Sequence, residues 1–280
     1  DKSSKNKLII NDFKKKRLFK KNYFNLDRNN HSQKRNLGIK KAKSNYLIFL
    51  DDDCFPEKTF VKKYFQILKN NKKKAIFCGS VLYPKKNNNF MKYRQSRHFV
   101  VKKSSPVFNE KIKIENIVTM NMAFNLNNIN NKKLFNEKFN RYGFEDHDFA
   151  YWQDKSGVSI LKSGPKIIHY DLRSYKRYLQ KIVFIGNEGM KYFLKLNFDA
   201  AKNTTYYKLE KNSLIKFLLK FKFSLRILET LSNLMISFEK RLFYFPLFIK
   251  LGIISAYLIG FMLRNNKNLN SSFKDNSWYV

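Results

Sequence analysis

Asn45-Tyr46-Leu47-Ile48-Phe49-Leu50-Asp51-Asp52-Asp53-Cys54-Phe55-Pro56 is the stretch that decides the fold. Tyr46–Leu50 is an apolar run of strand length and β-favouring composition, and it ends abruptly in three carboxylates. Adjacent acids repel one another, so a fold keeps three of them only where a counter-charge arrives. A divalent cation suits this place, because hard cations take oxygen ligands and bind through one or two carboxylates plus substrate phosphates. A solvated turn after a strand is the plainer reading, and the triplet alone does not separate the two.

Outward from this stretch, residues 8–12 read as a short buried strand ending at Asp12, and residues 14–30 are charged and irregular. Ser32 is placed to cap a helix running to about Lys43, with Leu37 and Ile39 as its apolar contacts. Pro56 is placed to open a second helix, with Phe60, Val61, Tyr64, Phe65 and Leu68 on one face. Residues 75–83, 116–126 and 166–170 read as strands, and 145–156 as a helix that stops at Gly157. Strands alternating with helices predict an α/β fold with a parallel sheet. Ligands bind such sheets at the carboxyl ends of the strands, where the acidic triplet stands.

Three segments read together with the triplet: Ser32-Gln33-Lys34-Arg35-Asn36-Leu37-Gly38-Ile39; Asn121-Met122-Ala123-Phe124; and Phe139-Asn140-Arg141-Tyr142-Gly143-Phe144-Glu145-Asp146-His147-Asp148-Phe149, followed by Gly157 and His169-Tyr170. In this order and spacing they resemble family 2 glycosyltransferases with the A-type nucleotide-sugar fold. The portion from Asn-Met-Ala-Phe to Glu-Asp-x-Asp is also similar to the C-terminal part of the catalytic region in galactosyltransferases and chondroitin-polymerase-like enzymes. The resemblance covers about residues 8–171. It implies a Rossmann-like nucleotide-sugar-binding sheet flanked by helices.

The resemblance also implies roles. Asp51 and Asp53 match the ends of the family's Asp-x-Asp, the first near the nucleotide ribose and the last ligating Mn²⁺ or Mg²⁺; Asp52 falls with the donor contacts. Asp12 matches the acid that contacts uracil, and Arg35-Asn36 the pair beside the nucleotide. Asp146 matches the catalytic base, with Glu145 helping to hold the acceptor, and His169 takes the place of a further metal ligand. The family begins with a strand and helix ahead of the strand at 8–12, so the chain is expected to be either a fragment lacking that unit or a degenerate member, and the intact downstream motifs favour the fragment.

The chemistry supports these roles. Breaking a sugar–phosphate bond leaves a diphosphate whose charge a metal stabilises as Lewis acid and template. An acceptor hydroxyl is a poor nucleophile at neutral pH and needs a base within hydrogen-bonding reach. The same residues also have plainer uses. Glu145, Asp146 and Asp148 complement a helix N-terminus, His169 is an ordinary partly buried histidine, Arg35 lies on a helix surface, and Cys54 is a small apolar neighbour.

Among 280 residues, Lys plus Arg number 57 and Asp plus Glu 21, a net charge of +36. That favours phosphate-bearing partners. It is also what an AT-rich coding sequence rich in Lys, Asn, Ile and Phe produces, and the lysines are spread along the chain rather than clustered. A non-enzymatic basic protein binding nucleic acid or membrane would not place acidic clusters at strand ends, where they repel phosphate unless metal intervenes. A nucleotidyltransferase on a related sheet has no reason to carry the Glu-Asp-x-Asp helix. Two cysteines, Cys54 and Cys78, give neither a disulfide framework nor a zinc pattern, consistent with a reducing compartment. The first residues are polar and basic, unlike a signal peptide, and the chain opens at Asp1 rather than Met.

Beyond about Ser174 the chain turns helical and more apolar. The expected organisation is a catalytic domain over residues 1–173 and a helical, membrane-associated region over 174–280. Leu214, Phe217, Leu218, Phe221, Leu225, Leu228 and Met235 fall on one helical face, with Lys216, Lys220, Lys222 and Arg226 opposite, the pattern of a helix in a bilayer interface. Residues 242–263 carry Lys250 as their only charge and extend about 33 Å as a helix, enough to span a bilayer. Gly252, Ala256 and Gly260 give this segment a small-residue face. These readings converge on a metal-dependent, inverting transferase. It would move a sugar from a UDP-linked donor to a glycan or lipid-linked acceptor for surface polysaccharide. It would work at the cytoplasmic face of the cell membrane, peripheral or single-span, with no nucleic-acid partner.

Overall fold

The structure, a computed structural model, describes residues 22–26, 30–84, 88–101, 110–140, 142–171, 173–240 and 243–275. The strand expected at 8–12, with Asp12, lies outside the described residues. Helix α1, His31–Lys41, starts where the Asn30 side chain accepts from the Gln33 backbone N–H at 3.0 Å. Ser32, the expected cap, is instead buried inside the first turn. Asn30 holds the cap because its backbone is extended there, and its amide nitrogen also donates to the Glu137 carbonyl at 3.0 Å.

Strands β1 (Tyr46–Leu50), β2 (Cys54–Pro56), β3 (Ala75–Leu82), β4 (Asn121–Asn125) and β5 (Ser159–His169) form one sheet in the order β1-β4-β3-β5-β2. β3 pairs parallel with β5, while β4 pairs antiparallel with both β1 and β3. β1 and β3 therefore run the same way, as strand–helix alternation predicts, but β4 lies between them in the opposite sense. The sheet is mixed, not wholly parallel. After β3 the chain passes through a helix at Asn89–Arg97 and a 3₁₀ turn at Ile114–Asn116, then re-enters the sheet from the end at which β3 left it, so β4 pairs antiparallel.

Helices α2 (Phe60–Asn70), α3 (Asn89–Arg97) and α4 (Glu145–Lys155) accompany the sheet. Pro56 does not open α2. It ends β2, an edge strand where a missing N–H is tolerated, and α2 begins at Phe60. α2 buries Phe60, Tyr64 and Leu68, four residues apart, and leaves Val61 and Phe65 exposed. The strand expected at 116–126 is confined to Asn121–Asn125, and the one at 166–170 extends back to Ser159.

Asn121 explains its own motif. Its side chain is fully buried, donates to the Ser80 and Pro165 carbonyls at 3.0 and 3.2 Å, and accepts from the Tyr64 hydroxyl at 2.7 Å. It clamps three elements where β3 and β5 shift register. Gly79 sits at that shift because a Cβ there would come within 2.4 Å of both the Asn121 side chain and the Pro165 carbonyl.

From Tyr175 the chain is helical: α5 (Tyr175–Phe184), a π-helical turn (Ile185–Gly189), α6 (Met190–Leu196), α7 (Phe198–Lys202), α8 (Thr205–Lys211), α9 (Ser213–Leu218), α10 (Phe223–Ser237) and α11 (Pro246–Asn265). The single amphipathic helix expected over 214–235 is two, because the chain turns at 219–222. That turn splits the expected face: Leu225, Leu228 and Met235 are buried, while Leu214, Phe217, Leu218 and Phe221 are exposed.

α11 is the one described helix long and apolar enough to cross a membrane, yet 56% of its apolar window is buried inside the protein. Its Gly252-Ala256-Gly260 face packs on protein. Gly260 lies so close to α5 and the π turn that a Cβ would meet the Val183 carbonyl at 2.2 Å. Arg264 pairs with Glu210 of α8 at 2.6 Å, and the Tyr257 hydroxyl also donates to Glu210.

These contacts predict two opposite results for one kind of change. Gly260→Ala gains roughly 1 kcal/mol of helix propensity but loses more to overlap, since overpacking costs about 1–3 kcal/mol. Its melting temperature should fall. Gly38→Ala in α1, where nothing lies within 4 Å of the new Cβ, should hold or raise it. Thermal unfolding followed by circular dichroism checks both.

Candidate active site

β2 is only three residues long, but its pairing brings the triplet to its partner. Cys54 lies opposite His169 in the β2–β5 ladder, so Asp53 comes alongside the imidazole, with its Oδ2 3.1 Å from His169 Nε2. The Tyr170 N–H donates to the Asp53 carbonyl at 2.9 Å and the Cys54 N–H to the Asp51 carbonyl at 3.1 Å, which fixes the turn. Ligand atoms of Asp53, Cys54 and His169 all lie within 4.8 Å of one another. Burial, then the Asp53 charge, pushes the Cys54 thiol far up, so it stays protonated and ligates poorly. Burial lowers the pKa of His169, favouring the neutral imidazole that binds metal. Its buried Nδ1 has no hydrogen-bond partner among the described residues. One carboxylate and one imidazole are donors that Mn²⁺ or Mg²⁺ accepts alongside phosphate oxygens and water.

The second acidic group opens α4. Gly143 and Phe144 have φ of 104° and 72°, so the chain turns sharply through the left-handed region before Glu145. For Phe144 this costs on the order of 1–2 kcal/mol, and its ring stacks on Phe193 with centroids 4.7 Å apart. Arg35 reaches from α1 to donate to Asp146 Oδ1 at 2.7 Å and Glu145 Oε1 at 3.1 Å. The other Asp146 oxygen accepts from the Thr119 hydroxyl at 2.8 Å, and Thr119 accepts from Arg35 at 3.2 Å. The Asp146 side chain is 27% exposed and that of Glu145 10%, so Asp146 is the carboxylate open to an incoming molecule. Burial, then the Asp146 charge, raises the pKa of Glu145. Asp148 is buried, accepts from Asn197 at 2.7 Å, and braces α4.

Arg35 links the two acidic groups. Burial pushes the Asp51 carboxyl up to about 6, Arg35 opposes this, and the Asp146, Asp53 and Asp52 charges add to it. Asp52 is exposed at the turn. The structure thus gathers Arg35, Asp51, Asp53, Glu145, Asp146 and His169. Asn36 faces elsewhere: its amide nitrogen donates to the Phe135 carbonyl and Glu137, and its oxygen accepts from the Phe135 N–H. Both ends of that side chain hold the loop at 135–137.

Sequence reasoning missed Thr119 and a basic layer beside Asp53 and His169. Arg94 of α3 and Arg173 both pair with the Asp171 carboxylate, at 2.8 and 2.6 Å. Burial would raise that carboxyl, but the Arg173 hydrogen bonds and both charges outweigh it and hold it well below the usual range. The Tyr83 ring contacts Arg94 and the His98 and His169 rings. Lys181 of α5 sits over the Tyr142 ring at 4.3 Å. Burial first, then Arg173, lowers its pKa to about 8. Asp171 and Arg173 follow His169 closely and were visible as charges at a strand end. Lys181 left no local signal.

Residues 1–151, more than half of the chain, match the family model described as glycosyl transferase family 2. The chain is a family 2 glycosyltransferase. The matched span contains both acidic groups of the site, while His169 lies beyond it. No curated protein sequence matches this glycosyltransferase. Among solved structures it is similar to the crystal structure of TarS 1-349 from S. aureus, at 11% identity and a TM-score of 0.44 over 94% of this chain and 79% of that one.

Lys181 yields a stability test. Its folded pKa, about 8, lies below the ordinary lysine value of 10.5, so the unfolded chain binds more protons between the two. Wild-type stability should therefore rise with pH across that window relative to Lys181→Met. Near pH 7 the variant should be the more stable, by on the order of 2 kcal/mol, since a tenfold loss of proton affinity corresponds to about 1.4 kcal/mol and solvent screening removes part of the effect. Denaturant unfolding of both proteins at pH 7 and 10 measures this difference; an advantage that does not shrink at high pH counts against it.

Proposed function

We propose that this glycosyltransferase moves a sugar from a UDP-linked donor to a hydroxyl of a glycan or lipid-linked acceptor in surface-polysaccharide synthesis, inverting the anomeric carbon. The observation that carries the reading is the layout of the site. Asp53 pairs with His169, Asp146 pairs with Arg35, and Asp51 lies within electrostatic reach of both groups. Asp53 and His169 would hold Mn²⁺ or Mg²⁺, which when bound supplies positive charge for the departing diphosphate. Asp51 and Asp52 serve the donor, and Asp12 remains a candidate for the nucleotide.

In the reaction the acceptor oxygen bonds to the anomeric carbon as the bond to the diphosphate oxygen breaks. The hydroxyl proton passes to Asp146, and the bonding pair leaves with the diphosphate. Arg35 and Thr119 orient the Asp146 carboxylate, and Glu145 beside it positions the acceptor. Arg173 and Lys181 add positive charge on the leaving-group side. Residues 1–173 perform transfer, and residues 174–280 brace them and associate with the cytoplasmic face of the membrane.

Mass spectrometry of products from a panel of UDP-sugars, with Mn²⁺ and with excess EDTA, tests donor and metal together. Turnover should require the ion, and full activity in EDTA would remove the metal from the reading. Asp146→Asn keeps the shape but cannot take the proton, so kcat should fall by about 10²–10⁴-fold. Donor affinity by calorimetry should change little. Glu145→Gln should raise the acceptor KM and lower kcat less. If Asp146→Asn retains near-normal transfer, Asp146 is not the base.

A further inference from the structure

α10 and α11 pack side by side, with Met235 of one against Gly252 of the other. Each buries one stripe in the helical core and leaves another uncovered. The uncovered residues are Phe223, Ile227, Leu231 and Leu234 on α10, and Leu247, Leu251 and Ile254 on α11, spaced three or four apart. At the elbow between the helices Phe245 is exposed, and Phe243, at 85%, is the most exposed large apolar side chain among the described residues. A half-open cavity of about 380 Å³ lies there, walled by Phe238, Phe243, Phe245, Phe248, Ile249 and Asn89. An uncovered apolar area of this kind marks an interaction surface.

Charge identifies what covers it. From Lys211 to Lys274 the sequence has 11 Lys or Arg and two acids, Glu229 and Glu239. Glu229 is turned away to accept from Ser271 and Ser272. Lys222, Arg226 and Lys250, all exposed, alternate with the apolar residues. A second copy of the chain would bring the same positive surplus, whereas an anionic lipid surface opposes it. The opposite face of α11 is held by the glycine contacts with α5 and by the Tyr257–Glu210–Arg264 cluster, so crossing a bilayer would expose these.

We propose that the uncovered α10–α11 face lies flat in the headgroup region of an anionic bilayer, elbow deepest, and that α11 does not cross it. This deepens the membrane association within the function proposed above. Flat docking keeps the chain beside lipid-linked acceptors.

The test uses the full chain with vesicles of phosphatidylcholine alone or mixed with phosphatidylglycerol. Binding should need the anionic lipid and weaken roughly tenfold or more between 0.1 and 0.5 M salt. Ile227→Ser with Leu231→Ser and Phe245→Ser, all at exposed positions, should lose roughly tenfold or more while circular dichroism and UDP affinity in solution stay unchanged. In sealed membrane vesicles from expressing cells, Ser237→Cys and Asn265→Cys bracket α11, and both native cysteines are buried. Flat docking leaves the two new thiols reactive from the same side toward an impermeant maleimide. Thiols on opposite sides, undiminished binding of the triple variant, indifference to anionic lipid, or self-association through this face in sedimentation would each overturn the proposal. Loss of sugar transfer with intact vesicle binding would instead overturn the catalytic reading and leave docking standing.

Discussion

One guanidinium holds the site together. Asp51, Glu145 and Asp146 come from positions nearly a hundred residues apart, and without Arg35 three carboxylates would face one another with little water between them. Burial works against the Arg35 charge, but Asp146 and Glu145 outweigh it and keep it protonated. Its planar fork also sets direction. Arg35 and Thr119 each take one oxygen of Asp146, so the carboxylate has a fixed plane before any acceptor arrives. Lysine would keep the charge and lose the plane.

Much of this is legible in the chain itself. The apolar run at 46–50 ending in acids, and the acidic start and glycine stop of the helix at 145–155, are local patterns that survive into the fold. What stays hidden is long-range or directional. Periodicity marks β4 as a strand but carries no sign for its direction, so the mixed sheet cannot be read from it. Pro56 suits both a helix start and an edge strand, and only the pairing with β5 decides. Asn30 and Ser32 are both good caps, and the tie breaks on a contact with Glu137, 107 residues away. Arg94 and Asp171 are 77 residues apart, beyond any spacing rule.

Composition marks the helical region as something set apart, but its packing joins it to the catalytic part. Phe90 and Tyr93 of α3 share a core with Tyr175, Leu179 and Tyr257, while Phe144 and Tyr151 share another with Met190, Phe193 and Ala201. The small-residue face of α11 is a close-packing device, and proteins use it as readily against their own helices as lipids allow between spans. An apolar helix of this length is therefore half core and half surface. Hydropathy sums the two faces and cannot distinguish them.

The π turn at Ile185–Gly189 has a consequence for register. It carries one residue more than a regular helical turn would, and it stands between two sets of contacts. Val183 before it and Gly186 near its start meet α11; Gly189 at its end lies under the Tyr142 carbonyl and Phe144, and Phe193 beyond it stacks on Phe144. Each residue of a helix turns it by about 100°. Removing the extra one would leave an unbroken helix whose two halves no longer point both ways at once: either α11 or the left-handed turn before Glu145 would lose its seat. The extra residue acts as a phase adjustment, letting one continuous rod serve the buried side of α11 and the backbone that presents the proposed base.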